Sequence, residues 1–186
     1  PLPKELLYQV LVGIDPHLRV LLYCMWKTAS RADDFSGEQR GRLPRMANTP
    51  AKHMTVSCFT RIGQNQIRVH FPSTKTGVLE EVAIIEGETP WIEEVSAYLN
   101  QRRSTSRFTN LTTADVAEAL PPGYTAHSIK RGAIEHLVRA GVPLERIHLL
   151  SKHRDPAREI SPMLRRYMSE EALGMGQRTW EMTRLL

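Results

Sequence analysis

Apolar positions near the start of the chain recur at helical spacing. Over residues 2–13, Leu6, Leu7, Val10 and Leu11 fall on one face, and Gly13 ends the pattern. Asp15 is placed to cap a second helix with Pro16 at its first position. The run that follows, HLRVLLYCMWKTAS, is apolar on nearly every side, which predicts a largely buried helix. Beyond Arg31, ADDFSGEQRGRLPRMANTPAK begins helical and turns into a basic loop punctuated by Pro and Gly.

Between residues 53 and 85 the texture changes. MTVSCF, QIRVHF and EVAII are short, β-branched and partly alternating, with RIGQNQ and PSTKTGVLE between them. They predict a small three-stranded antiparallel sheet. PWIEEVSAYLNQRR then reads as a helix opened by Pro90, with Trp91, Val95, Tyr98 and Leu99 facing inward. TTADVAEAL is a short helix, and PPG breaks the chain after it. Further helices are expected at about 126–140, 143–151, 162–167 and 170–186. No internal repeat or low-complexity tract interrupts the series. Helices, a small sheet and more helices make a mainly α-helical α+β domain.

Composition narrows the class. The 186 residues are 41% hydrophobic and 24% charged, as in soluble globular domains. No apolar run reaches the roughly 18 residues needed to span a membrane, so no membrane partner is expected. No signal peptide opens the chain, and its start at Pro1 reads as a piece of a longer protein. The net charge of +5 favours a polyanionic partner. The basic segments at 40–45 and 102–107 suggest salt-sensitive binding to duplex DNA. Cys24 and Cys58 each lie in an apolar segment, which fits reduced thiols in a nuclear or cytoplasmic protein. Asn110-Leu111-Thr112 matches a glycosylation acceptor but is discounted without a secretory signal.

The chemistry concentrates in TAHSIKRGAIEHLVRAGVPLERIHLLSKH. On a helix, Ile129, Ala133, Leu137 and Ala140 form the expected buried stripe, with His127, Lys130 and Arg131 on the opposite side. Gly141 ends that helix and Pro143 opens the next, whose Leu144, Ile147 and Leu150 continue the core and which delivers His153 past its end. Taken alone, the segment is equally well explained as a solvated basic helix face. His148, His153 and Asp155 match no zinc-ligand spacing, so no metal is expected. STKTG lacks the upstream glycine of a phosphate loop, and no Gly-x-Ser-x-Gly elbow occurs.

In order, TASRADDF, STKTG, HSIKRGA, LLSKH and LRRYM resemble the signature of the tyrosine recombinases, the phage-integrase family. The HSIKRG form is nearer to recombinases of eukaryotic mobile elements. The resemblance runs from about residue 2 to Tyr167 and implies a helical catalytic domain with a small sheet. It places Arg31 after a buried helix with Asp34 three positions on, and Lys75 at a hairpin tip. It places His127 at the opening of a helix, His153 after the next, and Tyr167 on a later one. There are three departures. Lys130 stands where the family has its second arginine, with Arg131 one position later; Tyr167 comes 14 positions after His153, longer than usual; and the N-terminal core-binding domain is absent.

The resemblance implies strand cleavage and rejoining of double-stranded DNA without metal or cofactor. Tyr167 would attack phosphorus, giving a 3′-phosphotyrosine and a free 5′-hydroxyl. Arg31 would hold two non-bridging oxygens with its planar fork, and Lys130 or Arg131 would add a further cation. His127 would act as base or phosphate ligand, Lys75 as general acid, and His153 as a donor to a non-bridging oxygen. Asp34 would orient Arg31. The C-terminal helix at 170–186 would dock on a neighbouring protomer, linking dimers or tetramers on DNA. Two alternatives are a catalytically weakened DNA-binding module of the same fold and a type IB topoisomerase-like enzyme.

Overall fold

The computed structural model describes residues 1–36, 54–72, 81–144, 146–147 and 183–186. The helices are α1 (Lys4–Gly13), α2 (Pro16–Thr28), α3 (Ala32–Ser36), α4 (Thr89–Asn100), α5 (Thr113–Ala119) and α6 (Ala126–Arg139). The strands are β1 (Phe59–Gly63), β2 (Gln66–Phe71) and β3 (Glu81–Glu86), in the antiparallel order β1-β2-β3. Among the described residues, therefore, the fold is α+β and mostly helical.

Helix α2 is the hub. Asp15 Oδ1 accepts from the His17 backbone N–H at 2.8 Å, and Pro16 sets the first helical φ. The helix ends at Ala29 in the left-handed region, φ 48°, where the Ser30 N–H returns to the Met25 carbonyl at 2.9 Å. Every residue from Val20 to Thr28 is buried, so apolar neighbours surround the helix on all sides. Helices α1, α4 and α6 and strand β3 all pack against it. Arg19 fastens one end, donating to the Leu11 carbonyl at 2.7 Å and the Ile14 carbonyl at 3.0 Å while pairing with Glu94 at 2.8 Å.

The sheet turns Phe59, Ile67, Val69, Phe71, Ala83 and Ile85 inward, one side of a period of two. Register pairs Phe59 with Val69 and Val69 with Ala83. Phe35 of α3 lies 5.4 Å from the Phe71 ring and 5.6 Å from Phe108, and Phe59 stacks on Phe108 at 4.3 Å. This aromatic corner locks α3 onto the sheet.

Several expected boundaries shift. MTVSCF is not one strand: Val56–Cys58 forms a 3₁₀ turn and β1 occupies part of the expected separator. The cause is competition for backbone groups. The N–H groups of Val56 and Ser57 donate to the carbonyls of Ser106 (3.0 Å) and Ser104 (2.9 Å), so this stretch pairs with a distant loop instead of β2. On α4, Ile92 is fully buried with Val95 and Tyr98, whereas Trp91 and Leu99 are only half-buried at the margin. Of the late helices, 162–167 and most of 170–186 lie outside the described residues; Thr183 is helical, but 184–186 leave the helix.

The α6 stripe also needs correcting. Its buried residues are Ala126, Ile129, Lys130, Gly132, Ala133 and Leu137, and Ala140 is exposed. Seven positions nearly complete two turns, so Lys130 lies only about 20° from Leu137 around the axis and points inward with it. His127 and Arg131 point outward, as expected. The arc is widened further at Gly132, where the chain start crosses α6: Leu2 N–H donates to the Ser128 carbonyl at 3.0 Å. A Cβ on Gly132 would sit 2.0 Å from the Leu2 carbonyl oxygen, so only glycine allows that crossing.

Candidate functional site

Arg31 follows the left-handed turn at the end of α2 and sits just before α3, half-buried. Asp34 Oδ2 accepts from the Arg31 backbone N–H at 2.8 Å, and the Asp34 N–H returns to the Arg31 carbonyl at 3.2 Å. Asp34 therefore positions Arg31 through its backbone, its carboxylate receiving the Arg31 N–H as in one half of a capping box. Asp33 Oδ1 accepts from Thr113 Oγ1 at 2.9 Å, which ties α3 to the start of α5. With Phe35 held in the aromatic corner, the segment carrying Arg31 is fixed on both sides.

The second group sits at the start of α6. Thr125 and Ser128 form a capping box there, with the Thr125 N–H donating to Ser128 Oγ at 3.0 Å. No acidic residue lies in the first turn, which leaves the positive end of the helix dipole without a resident carboxylate. His127 is exposed and Arg131 is exposed, while Lys130 keeps only 2% of its surface. His127 and Lys130 each have an interaction partner. Helix α6 packs on both α2 and α5, and α5 on α3, so the Arg31 and Lys130 segments belong to one packed set. Lys75 lies in the connection between β2 and β3, and it, His153 and Tyr167 fall outside the described residues. The structure thus joins Arg31 to Asp34 and sets His127, Lys130 and Arg131 on adjacent turns of one helix.

The arginines of the basic 102–107 segment divide by role. Arg102 lies over the Tyr98 ring at 4.4 Å and meets His17 Nδ1 at 2.9 Å, which makes it part of the local packing. Arg103 and Arg107 are exposed. Segment 40–45 lies outside the described residues.

A second cluster, which the sequence analysis did not single out, holds the last four residues. Lys27, 3% exposed, donates to the Glu86 carbonyl at 2.9 Å and the Thr183 carbonyl at 2.8 Å. Trp26 Nε1 donates to the Leu186 carbonyl at 2.9 Å and Tyr8 Oη to the same oxygen at 3.3 Å. His136 Nε2 meets the Leu185 carbonyl at 2.7 Å, and Arg184 pairs with Glu86 at 2.9 Å. Beside these contacts is a cavity of about 460 Å³, lined among others by Lys4, Tyr8, Lys27, Glu86, Trp91 and Leu186. Burial, and then the Lys4 charge, push the Lys27 ammonium down to about 8, partly opposed by Glu86 and Glu88. Burial, then Glu88, push the Tyr8 phenol up to about 12. The sequence signal was available: a lysine inside an otherwise apolar helix is unusual unless something receives it.

Among the described residues, no helix is long and apolar enough to cross a membrane, and no group of three or more His, Cys, Asp or Glu side chains is arranged to hold a metal ion. No protein-family model matches the chain, and no curated protein matches it.

Proposed function

We propose that the chain is the catalytic domain of a site-specific DNA recombinase or integrase, cutting and rejoining duplex DNA through a 3′-phosphotyrosine at Tyr167. The observation that supports this reading is the tie between Asp34 and the Arg31 backbone, three positions apart as the recombinase pattern has them. Lys130, buried and already partnered, stands where that pattern has its second arginine and is a departure from it. Arg31, fixed by Asp34 and the aromatic corner, supplies the forked donor. Such preorganised cations stabilise charge growing on non-bridging oxygens more than they stabilise the ground state. Lys75, His153 and Tyr167 complete the set by their order in the chain. Action on DNA places the protein in the nucleus, or in the cytoplasm where DNA is reached there. Self-association into dimers or tetramers on DNA would use the part of the 170–186 segment before Thr183, because Thr183–Leu186 pack on their own chain.

The test is a nicked suicide DNA substrate offered to the full-length protein on its own target. A covalent adduct should survive denaturation, form without magnesium, and disappear in Tyr167→Phe, which keeps the ring and removes the nucleophile. An adduct that persists in Tyr167→Phe rejects Tyr167 as nucleophile. Specific binding without any adduct supports the second reading, a DNA-binding module weakened because Lys130 offers a point charge where an arginine would offer a fork.

A further inference from the structure

The cavity beside Lys27 has no part in that chemistry, and its walls carry charges of both signs. Its volume of about 460 Å³ falls within the range of small-molecule sites. Two ammonium groups line it, Lys4 from α1 and Lys27 from α2. Glu88, the cap residue of α4, lines it with a carboxylate that makes no capping hydrogen bond to its own helix and no ion pair among the described residues. Arg184 and Glu86 also face it, but they are matched to each other: Nε and Oε2 lie 2.9 Å apart, an ion pair by distance without an in-line hydrogen bond.

We propose that this cavity binds a small zwitterion, an α-amino acid with an apolar side chain, its carboxylate between Lys4 and Lys27 and its ammonium toward Glu88. Lys27 is the buried end of the site. Its Nζ donates to the Glu86 and Thr183 carbonyls at 2.9 and 2.8 Å, and an ammonium carries three N–H groups. One donor therefore has no acceptor among the described residues, at the wall of a cavity. Lys4 makes one bond, to the Leu185 carbonyl at 3.3 Å, and keeps two further donors. The two ammoniums repel each other, and a carboxylate between them replaces that repulsion with charge-assisted hydrogen bonds. Glu88 acts on Lys27 with the opposite sign but does not reach it. Opposite charges that face one space without meeting suit a molecule that carries both. A plain anion would leave Glu88 opposed, and a plain cation would sit against two ammoniums.

The remaining walls select the body of the ligand. Tyr8 and Trp91 are both half-buried and meet edge to face, their centroids 5.5 Å apart, which leaves apolar ring surface toward the cavity. Gly87 adds bare backbone beside the ammonium. A Cβ there would stand 3.3 Å from Lys27 Cε and strike Tyr23 Oη, and the φ of Gly87 is not positive, so space and not conformation calls for glycine. No part of the chain has to move. The last residues serve as a wall where they stand, and Glu88 is exposed, so the cavity is reached from solvent on its side.

The experiment titrates the full chain by calorimetry with L-leucine and L-phenylalanine, and with phenylpropionate and phenethylamine, which each lack one of the two charges. At least one amino acid should bind with a Kd below about 1 mM and shift the Trp91 indole N–H in a nitrogen–proton spectrum. Each singly charged analogue should bind at least about tenfold more weakly, the loss of one charge-assisted hydrogen bond. Glu88→Gln, at an exposed position, should weaken the amino acid by about tenfold and leave phenylpropionate no weaker. Lys27→Met should abolish binding of both. If Lys27→Met does not fold, Lys4→Met takes its place and should weaken both alike. An analogue that binds as tightly as the amino acid overturns the zwitterion, and binding that leaves the Trp91 signal in place overturns the location. No saturable binding of either amino acid up to about 10 mM means that the cavity holds water alone, and the site is overturned.

Discussion

Lys27 and Lys130 have nearly the same exposure, 3% and 2%, on two helices that pack together, yet they answer the cost of burial differently. Lys27 is stationed in the last turn of an apolar helix and spends its donors on two backbone carbonyls of its own chain. Lys130 stands near the start of a helix, one turn from an exposed histidine, at an end of the helix that suits an anion. A buried lysine always needs partners. Lys27 spends two of its donors on the fold. Lys130 also has a partner within the protein, and under the recombinase proposal it would in addition meet a substrate phosphate.

The largest expected effect separates the two by rate. Lys130→Ala should slow single-turnover cleavage by roughly 100- to 1,000-fold, the usual loss of one charge-stabilising donor. Lys27→Ala should leave the rate per folded molecule within about threefold while lowering stability, since it strands two carbonyls. Lys130→Arg should raise cleavage, because a fork replaces a single contact. If Arg131→Ala proves as severe as Lys130→Ala, the outward residue shares the role, and the contrast between the two lysines weakens.

Next in size are the two close approaches that build these regions. Gly132→Ala forces a methyl against the Leu2 carbonyl on the Lys130 helix. Gly87→Ala forces one to within 2.0 Å of Tyr23 Oη beside Lys27. Each should cost about 1–3 kcal/mol in a denaturant titration, as overpacking does. Gly132→Ala is expected toward the upper end, because its obstacle is backbone and cannot swing aside as a ring hydroxyl can. Equal losses would mean that the chain start yields as readily as the tyrosine.

The pH dependence of stability follows the same division. Lys27 is held below its ordinary value, so its burial penalty is in force below about 8 and is relieved as pH climbs toward 10.5. Up to about 3 kcal/mol of stability should be regained across that window. Above 10.0 the raised phenols of Tyr8 and Tyr23 reverse the trend, because their unfolded forms ionise first. Thermal melts between pH 7.5 and 10 check this, with Lys27→Met flattening the rise.

How much of this was legible in the sequence depends on period and distance. The helix α2 was plain because its nine buried residues are consecutive. The three antiparallel strands followed from short β-branched runs, and Asp34 beside Arg31 from the family resemblance. β1 was misplaced because the claim on Val56 and Ser57 comes from residues nearly 50 positions away, which no local pattern records. Lys130 was put on the wrong face by treating its charge as a guide to exposure, although its angle around the axis already placed it near Leu137. For the Lys27 cluster the sequence shows a lysine in an apolar helix but not what receives it. Its acceptors are backbone carbonyls, and every residue type carries one.

The smallest expected effect concerns Tyr23, which shares the Lys27 wall. Its ring stacks on Trp91 at 5.4 Å and is 1% exposed. Its hydroxyl has no hydrogen-bond partner among the described residues. An unpaired buried hydroxyl costs desolvation without return, whereas the ring contributes apolar area and stacking. Tyr23→Phe should therefore be neutral or stabilising, by up to about 1 kcal/mol, in contrast to the usual loss when a buried tyrosine gives up a hydrogen bond. It should also relieve the crowding beside Gly87, so Gly87→Ala should cost less in the Tyr23→Phe background than alone. A double-mutant cycle by urea denaturation measures both. If Tyr23→Phe destabilises by more than about 1 kcal/mol, the hydroxyl has a partner in the folded protein. The Lys27 side of the molecule would then be a fully satisfied polar network instead of a staple set into an apolar wall.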